Sequence, residues 1–227
     1  RDCVPNTRGL SIKVIPLSGA TITGFGRRRS SLDSYGTLVS EIEEFSPDHI
    51  CFAFGQVDIE LGYYYRKVFK DDDVNYTDFI QDLIKSYMNR TLNFVESHPK
   101  LSITFKGINL STLTESRNKA INYTSRIISE NISDPEQRKY ASQKLKDLLA
   151  SNIERNGAHL YFNQMLKAEC ENNNFGYFDV VKETSDLSTL AVNKFHIPSI
   201  DDHHLVDSLY IREIHIQKLV SSLVRKR

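Results

Sequence analysis

Four short runs of β-branched and aromatic residues constrain the fold of this chain more than anything else in it. They read "SIKVIPL" (residues 11–17), "HICFAF" (49–54), "LSITFKGI" (101–108) and "FGYFDVV" (175–181). Each is bounded by Gly, Pro, Ser or Asn, as strands usually are. Each is apolar almost throughout instead of alternating, the pattern of a strand covered on both faces. Between them lie helical spacings. Leu38, Ile42 and Phe45 share a face before the second run, and Phe79, Leu83, Tyr87 and Leu92 share one on a longer segment ending near His98.

A third helix is expected from "SDPEQ", with Ser133 or Asp134 as cap and Pro135 in the first turn, where its missing N–H costs nothing. It should pass through Leu145, Leu148 and Leu149. A further helix carrying Leu160, Phe162, Met165 and Leu166 is expected to follow Asn156-Gly157, and a last one to present Leu205, Leu209, Ile216, Leu219 and Leu223 on one face. Strands alternating with helices of this length predict an α/β fold: a three-layer sandwich, a parallel sheet with helices on both faces. Two longer segments, residues 59–76 and 109–131, follow strand ends, where open α/β sheets bind ligands. They read as loops or lids over a site, or as plain surface insertions.

The 227 residues carry 29 basic and 29 acidic side chains and are 40% hydrophobic, which fits one globular domain over 1–227. A balanced net charge gives no electrostatic reason to expect nucleic acid. No apolar run reaches the roughly 18 residues of a membrane span. Cys3, Cys51 and Cys170 are scattered without CxxC spacing, which suggests neither a zinc site nor a disulfide framework. A reducing, cytoplasmic location is the expectation, although N-x-S/T sequons at Asn75, Asn89, Asn109, Asn122 and Asn131 count against it. The first residue is Arg1, not Met, so the expectation is a domain cut from a longer chain.

Three clusters could carry chemistry. In "IPSIDDHHLVD" (197–207), Asp201 precedes His204 by three positions at the entry to a helix. A carboxylate there can accept from the imidazole N–H and fix its tautomer, making His204 a general base. Alternatively, Asp201 or Asp202 simply caps the helix. In "FAFGQVDIE", Gly55 at a strand end permits close backbone approach, and Asp58 follows it into the crevice. In "SGATITGFG", the glycines 19, 24 and 26 expose backbone amides but lack both P-loop and dinucleotide spacing.

In their order, and each after a strand, these clusters resemble the SGNH (GDSL-like) hydrolase superfamily. Its blocks carry Gly-Asp-Ser with the nucleophile, then a glycine, then Gly-x-Asn-Asp, then Asp-x-x-His before the last helix. Here "SGATITG" looks like the second block, "GQVD" the third and "DDHHL" the last, while Asp2-Cys3 stands where the family has Asp-Ser. Val57 replaces the oxyanion Asn, with Gln56 beside it as a substitute donor. "GQVD" is closer to a Gly-Glu-Ile-Asp variant associated with polysaccharide biosynthesis. The resemblance implies a catalytic Cys3, His204 and Asp201, with Gly19, Gly55, Gln56 and Asp58 at the oxyanion and substrate. It implies esterase or O-acetyltransferase action on an acylated carbohydrate, with no cofactor and no metal. Two alternatives stay open: an inactive member of the fold that binds a glycan or protein, and a metal-dependent glycosyltransferase-like activity at Asp71, Asp72 and Asp73.

Overall fold

The computed structural model describes residues 9–25, 32–113 and 116–223. Three strands, β1 (His49–Phe52), β2 (Ser102–Lys106) and β3 (Gly176–Phe178), form a parallel sheet in the order β1-β2-β3. Helix α1 (Ser34–Phe45) leads into β1 and α3 (Tyr76–Ser97) into β2. α4 (Arg117–Ile128), α5 (Pro135–Leu148) and α6 (Asn152–Asn172) fill the crossover to β3, and α8 (Leu209–Ser222) ends the described chain.

Successive strand residues point to opposite faces. The Phe105 ring meets Tyr87 of α3 edge-on at 4.9 Å. On the other side, next to Thr104, a Cβ added to Gly176 would lie 2.5 Å from the carbonyl of Ser222 on α8. Helices thus flank the sheet, as the near-continuous apolar runs predict. Stacked and edge-on rings of Phe25, Phe52, Phe54, Tyr87, Phe94 and Phe105 form the centre of the core.

The first expected strand is not formed among the described residues. Residues 11–17 pair with no strand: Val14 is 80% exposed, Pro16 has no N–H to offer a ladder, and Lys13 instead reaches Glu41 of α1. The expected lids are also different. Gln56 opens a helix that runs through a π-turn (Asp58–Gly62) into α2 (Tyr63–Phe69), and Ile59, Leu61, Tyr63 and Tyr64 are buried. The second segment contains α4, which buries Ala120, Ile121 and Tyr123.

Helix α6 runs straight through Asn156-Gly157. Its start is set by Ser151, whose side chain accepts from the Glu154 N–H while Glu154 returns a bond to the Ser151 N–H. Ser208, not an aspartate, caps α8. That helix buries Ile211 and Ile214 and leaves Leu209 76% exposed, while Leu205 lies ahead of it and packs on a small cluster of Leu110, Val181 and Val192. A short helix α7 (Val181–Thr184) and an antiparallel pair, β4 (Ser185–Asp186) with β5 (Ala191–Val192), complete this corner. No helix among the described residues is long and apolar enough to cross a membrane.

Candidate functional site at the carboxyl edge of the sheet

Beyond the C-terminal ends of the strands the chain turns polar, and most of that polarity is buried. After β1, Gly55 takes φ +113, and a Cβ there would lie 2.6 Å from the Phe162 ring and 3.2 Å from Ile108. A side chain is therefore barred by conformation and by space. The following helix aims Asp58 back across the sheet edge, where it accepts from the N–H of Ile22 at 2.8 Å and from the N–H and hydroxyl of Thr23 at 3.3 and 3.0 Å. Burial pushes its carboxyl up to about 6, against the pull of those donors. Asp58 thus ties "GQVD" to the "SGATITG" turn, in which Gly19 has φ +73 and the Ala20 N–H donates to Leu17.

After β2, residues 107–113 form no regular structure, and side chains of α6 satisfy several of their backbone groups. Asn163 accepts from the Ile108 N–H at 2.7 Å and donates to its carbonyl at 2.8 Å. Asn156 accepts from the Ser111 N–H at 2.8 Å, and Arg155 donates to the Leu113 carbonyl at 2.6 Å. His159 places Nδ1 2.5 Å from the Asn109 carbonyl, which fixes a proton on that nitrogen. Its Nε2 lies 3.5 Å from Glu60, and Arg155 lies 3.9 Å from the other oxygen of the same carboxylate. Burial lowers the affinity of His159 for a second proton, although Glu60 and the Asn109 carbonyl raise it. Gln56 is committed here too: its carbonyl accepts from the Asn109 N–H at 2.9 Å and its amide reaches Glu60 at 3.4 Å.

The Asp-Asp-His-His loop closes over this layer. The Thr112 hydroxyl donates to the Asp202 carbonyl, and the Val206 N–H donates to the His196 carbonyl at 2.9 Å. The carboxylate facing His204 is that of Asp202, with Oδ1 2.8 Å from Nδ1 of the ring and 3.2 Å from the His204 N–H. Asp201 turns instead toward Lys119, at 3.7 Å. Burial would raise the Asp202 carboxyl, but the bonds and positive potential of His204, with a smaller contribution from His203, hold it below its ordinary 3.8. Asp202 Oδ1 is also 3.4 Å from the Tyr123 hydroxyl of α4. The His204 side chain is 61% exposed. His203 is buried beneath it, with Nδ1 2.6 Å from Tyr123 Oη and Nε2 without a partner among the described residues. Burial, with the neighbouring His204, pushes His203 down to about 4, so its ring is neutral near pH 7.

Comparison with family models, with curated proteins and with solved structures gives no match.

Of the residues expected to act together, Gly55, Gln56 and Asp58 share one strand-to-helix junction, and Asp58 joins them to the turn that follows Gly19. Asp202 hangs from Thr112 of the segment after β2 and His203 from Tyr123 of α4, with Glu60 acting electrostatically on His203. Cys3 lies outside the described residues. Burial pushes the thiols of Cys51 and Cys170 up to about 12, away from the thiolate form a nucleophile needs. Asp71, Asp72 and Asp73 are distributed over three separate cations, Lys144, Arg66 and Lys67, and do not converge. Sequence reasoning missed Glu60, Arg155, His159 and Tyr123. Arg155 and His159 leave a trace in the sequence, a polar stripe of Arg155, Asn156, His159 and Asn163 recurring at helical spacing where an apolar face is expected, and Glu60 and Tyr123 leave none.

Proposed function

We propose that this protein transfers an acyl group from an ester of a carbohydrate, with His204 as general base and Asp202 as the carboxylate that orients it. One observation carries the reading: the 2.8 Å contact between Asp202 Oδ1 and His204 Nδ1 on an imidazole whose ring is otherwise exposed. A carboxylate accepting from Nδ1–H leaves the lone pair on Nε2, the nitrogen available to take a proton, and stabilises the imidazolium that results. By the family resemblance Cys3 supplies the nucleophile. Its thiol proton passes to His204 Nε2, the sulfur attacks the ester carbonyl, and the sugar oxygen leaves with that proton, giving an acyl thioester. Water or a second sugar hydroxyl then takes the acyl group. The Gly19 amide is the proposed oxyanion donor on the same resemblance.

The commitment of both ends of the Gln56 amide favours a second reading, a glycan-binding domain on a hydrolase-like fold, because no side-chain donor then replaces the missing oxyanion Asn. Hydrolysis of 4-nitrophenyl acetate by the wild type, His204→Ala and Cys3→Ala separates the two. Loss of about 100-fold or more in kcat/KM in each variant supports acyl transfer. Wild-type turnover no faster than that of the two variants refutes it and leaves the binding domain.

A further inference from the structure

We propose that Asp202, His203 and His204 form a site for a divalent transition-metal ion, zinc being the ion their donors suit, and that the ion switches off the base of the reaction proposed above. The second half rests on that reading; the first does not.

One ligand atom from each of the three residues lies within 4.8 Å of the other two. Asp202 Oδ1 is 2.8 Å from His204 Nδ1 and 3.5 Å from His203 Nδ1. A tetrahedral ion with bonds of about 2.0–2.1 Å requires ligand atoms about 3.3–3.4 Å apart, a value these separations bracket. The set is two imidazoles and one carboxylate; the borderline imidazole donors favour zinc over magnesium or calcium, and zinc accepts the carboxylate as well. The two rings lie 4.0 Å apart, centroid to centroid.

The loop is also pre-ordered, which lowers the cost of assembling such a site. Thr112 holds the Asp202 carbonyl, and His203 is only 5% exposed and packs edge-on against the Tyr123 ring. The Tyr123 hydroxyl lies between His203 Nδ1, at 2.6 Å, and Asp202 Oδ1, at 3.4 Å. It can release the nitrogen and donate to the carboxylate, the outer-shell bond that metal-bound carboxylates usually receive. Exposure of His204 on the solvent side leaves a fourth position open, as catalytic rather than structural zinc sites do.

The same nitrogen serves both roles of His204, so the roles exclude each other. Without an ion, Nδ1 holds the proton that Asp202 accepts, and Nε2 holds the lone pair. An ion bound at Nδ1 needs the lone pair there, so the ring proton moves to Nε2 through solvent and the base is lost.

Zinc chloride titrated calorimetrically into the wild type, Asp202→Asn, His204→Ala and His203→Ala tests the site. One ion per chain is expected, with affinity at least tenfold weaker in each variant. No saturable binding, or the same affinity in Asp202→Asn and His204→Ala, overturns it; His204 is exposed and Asp202→Asn keeps the shape of a half-buried side chain, so the test stands even if His203→Ala fails to fold. Hydrolysis of 4-nitrophenyl acetate followed over the same titration tests the switch, which predicts at least tenfold inhibition at saturation. Binding without inhibition overturns the switch and leaves the site. Binding by a wild type that hydrolyses nothing overturns the acyl-transfer reading, and the switch with it, while the calorimetry still decides the site.

Discussion

Asp58 shows how one side chain can link two parts of a site while opposing the stability of its own fold. It is almost fully buried, and burial raises its carboxyl from 3.8 to about 6 although three donors favour the charged form. A raised folded value means that the native state holds the proton more tightly than the unfolded chain does. The resulting stabilisation is complete below about pH 3.8 and is lost as pH rises through about 6. Asp58→Asn removes that dependence. Urea unfolding of both proteins between pH 4 and 7 should show wild-type stability falling relative to the variant by about 2 kcal/mol, most of the free energy of a shift of some two units. Parallel pH profiles would mean that the Asp58 carboxyl titrates at its ordinary value.

Lys106, on the central strand, follows the same rule with opposite sign. Burial lowers its ammonium to about 8. Stability from this group rises as pH climbs from about 8 toward the ordinary 10.5, because only then does the unfolded chain hold the proton that the native state has released.

At the scale of elements, the polar face of α6 does for residues 107–113 what a neighbouring strand does for a sheet. Asn163 satisfies both the N–H and the carbonyl of Ile108. Asn163→Ala strands both groups and should cost about 2–4 kcal/mol of unfolding free energy. Ser151→Ala, which removes only the helix cap, should cost about 1 kcal/mol. Chemical denaturation of the two variants ranks them, and an equal or smaller loss for Asn163→Ala would contradict the bracing role.

The same elements show what local signals can and cannot tell. Strands β1, β2 and β3, the span of α3 and the Asp134-Pro135 start of α5 follow from composition, periodicity and cap chemistry, which act between residues close in sequence. The start of α6 was legible in Ser151 and Glu154, but Asn156-Gly157 imitates a turn, and the inward stripe of α6 is polar because its partner is bare backbone instead of apolar side chains. Residues 11–17 have strand composition and no strand to pair with among the described residues. The carboxylate facing His204 depends on backbone direction within a four-residue loop, which spacing alone does not fix. Contacts such as Glu60 with His159 span about a hundred residues and leave no local mark.

In the molecule as a whole, a parallel sheet delivers the ends of its strands to one edge, and the sequence uses that edge for its charged and titratable groups. Asp58 and Glu60 arrive after β1, the Asn109–Thr112 segment after β2, and the Asp-Asp-His-His loop after β3, held on the layer beneath by Thr112 and Tyr123. This is the arrangement by which open α/β sheets place ligands at strand C-termini. The role proposed for Asp202 at this edge is to orient His204. The most direct measurement is kcat/KM for 4-nitrophenyl acetate with Asp202→Asn beside Asp201→Asn, folding being checked by circular dichroism. The account predicts a loss on the order of 10²–10⁴-fold for Asp202→Asn, from an imidazole held in the wrong tautomer, and a change of less than about threefold for Asp201→Asn. A large loss for Asp201→Asn with Asp202→Asn near wild type would contradict it.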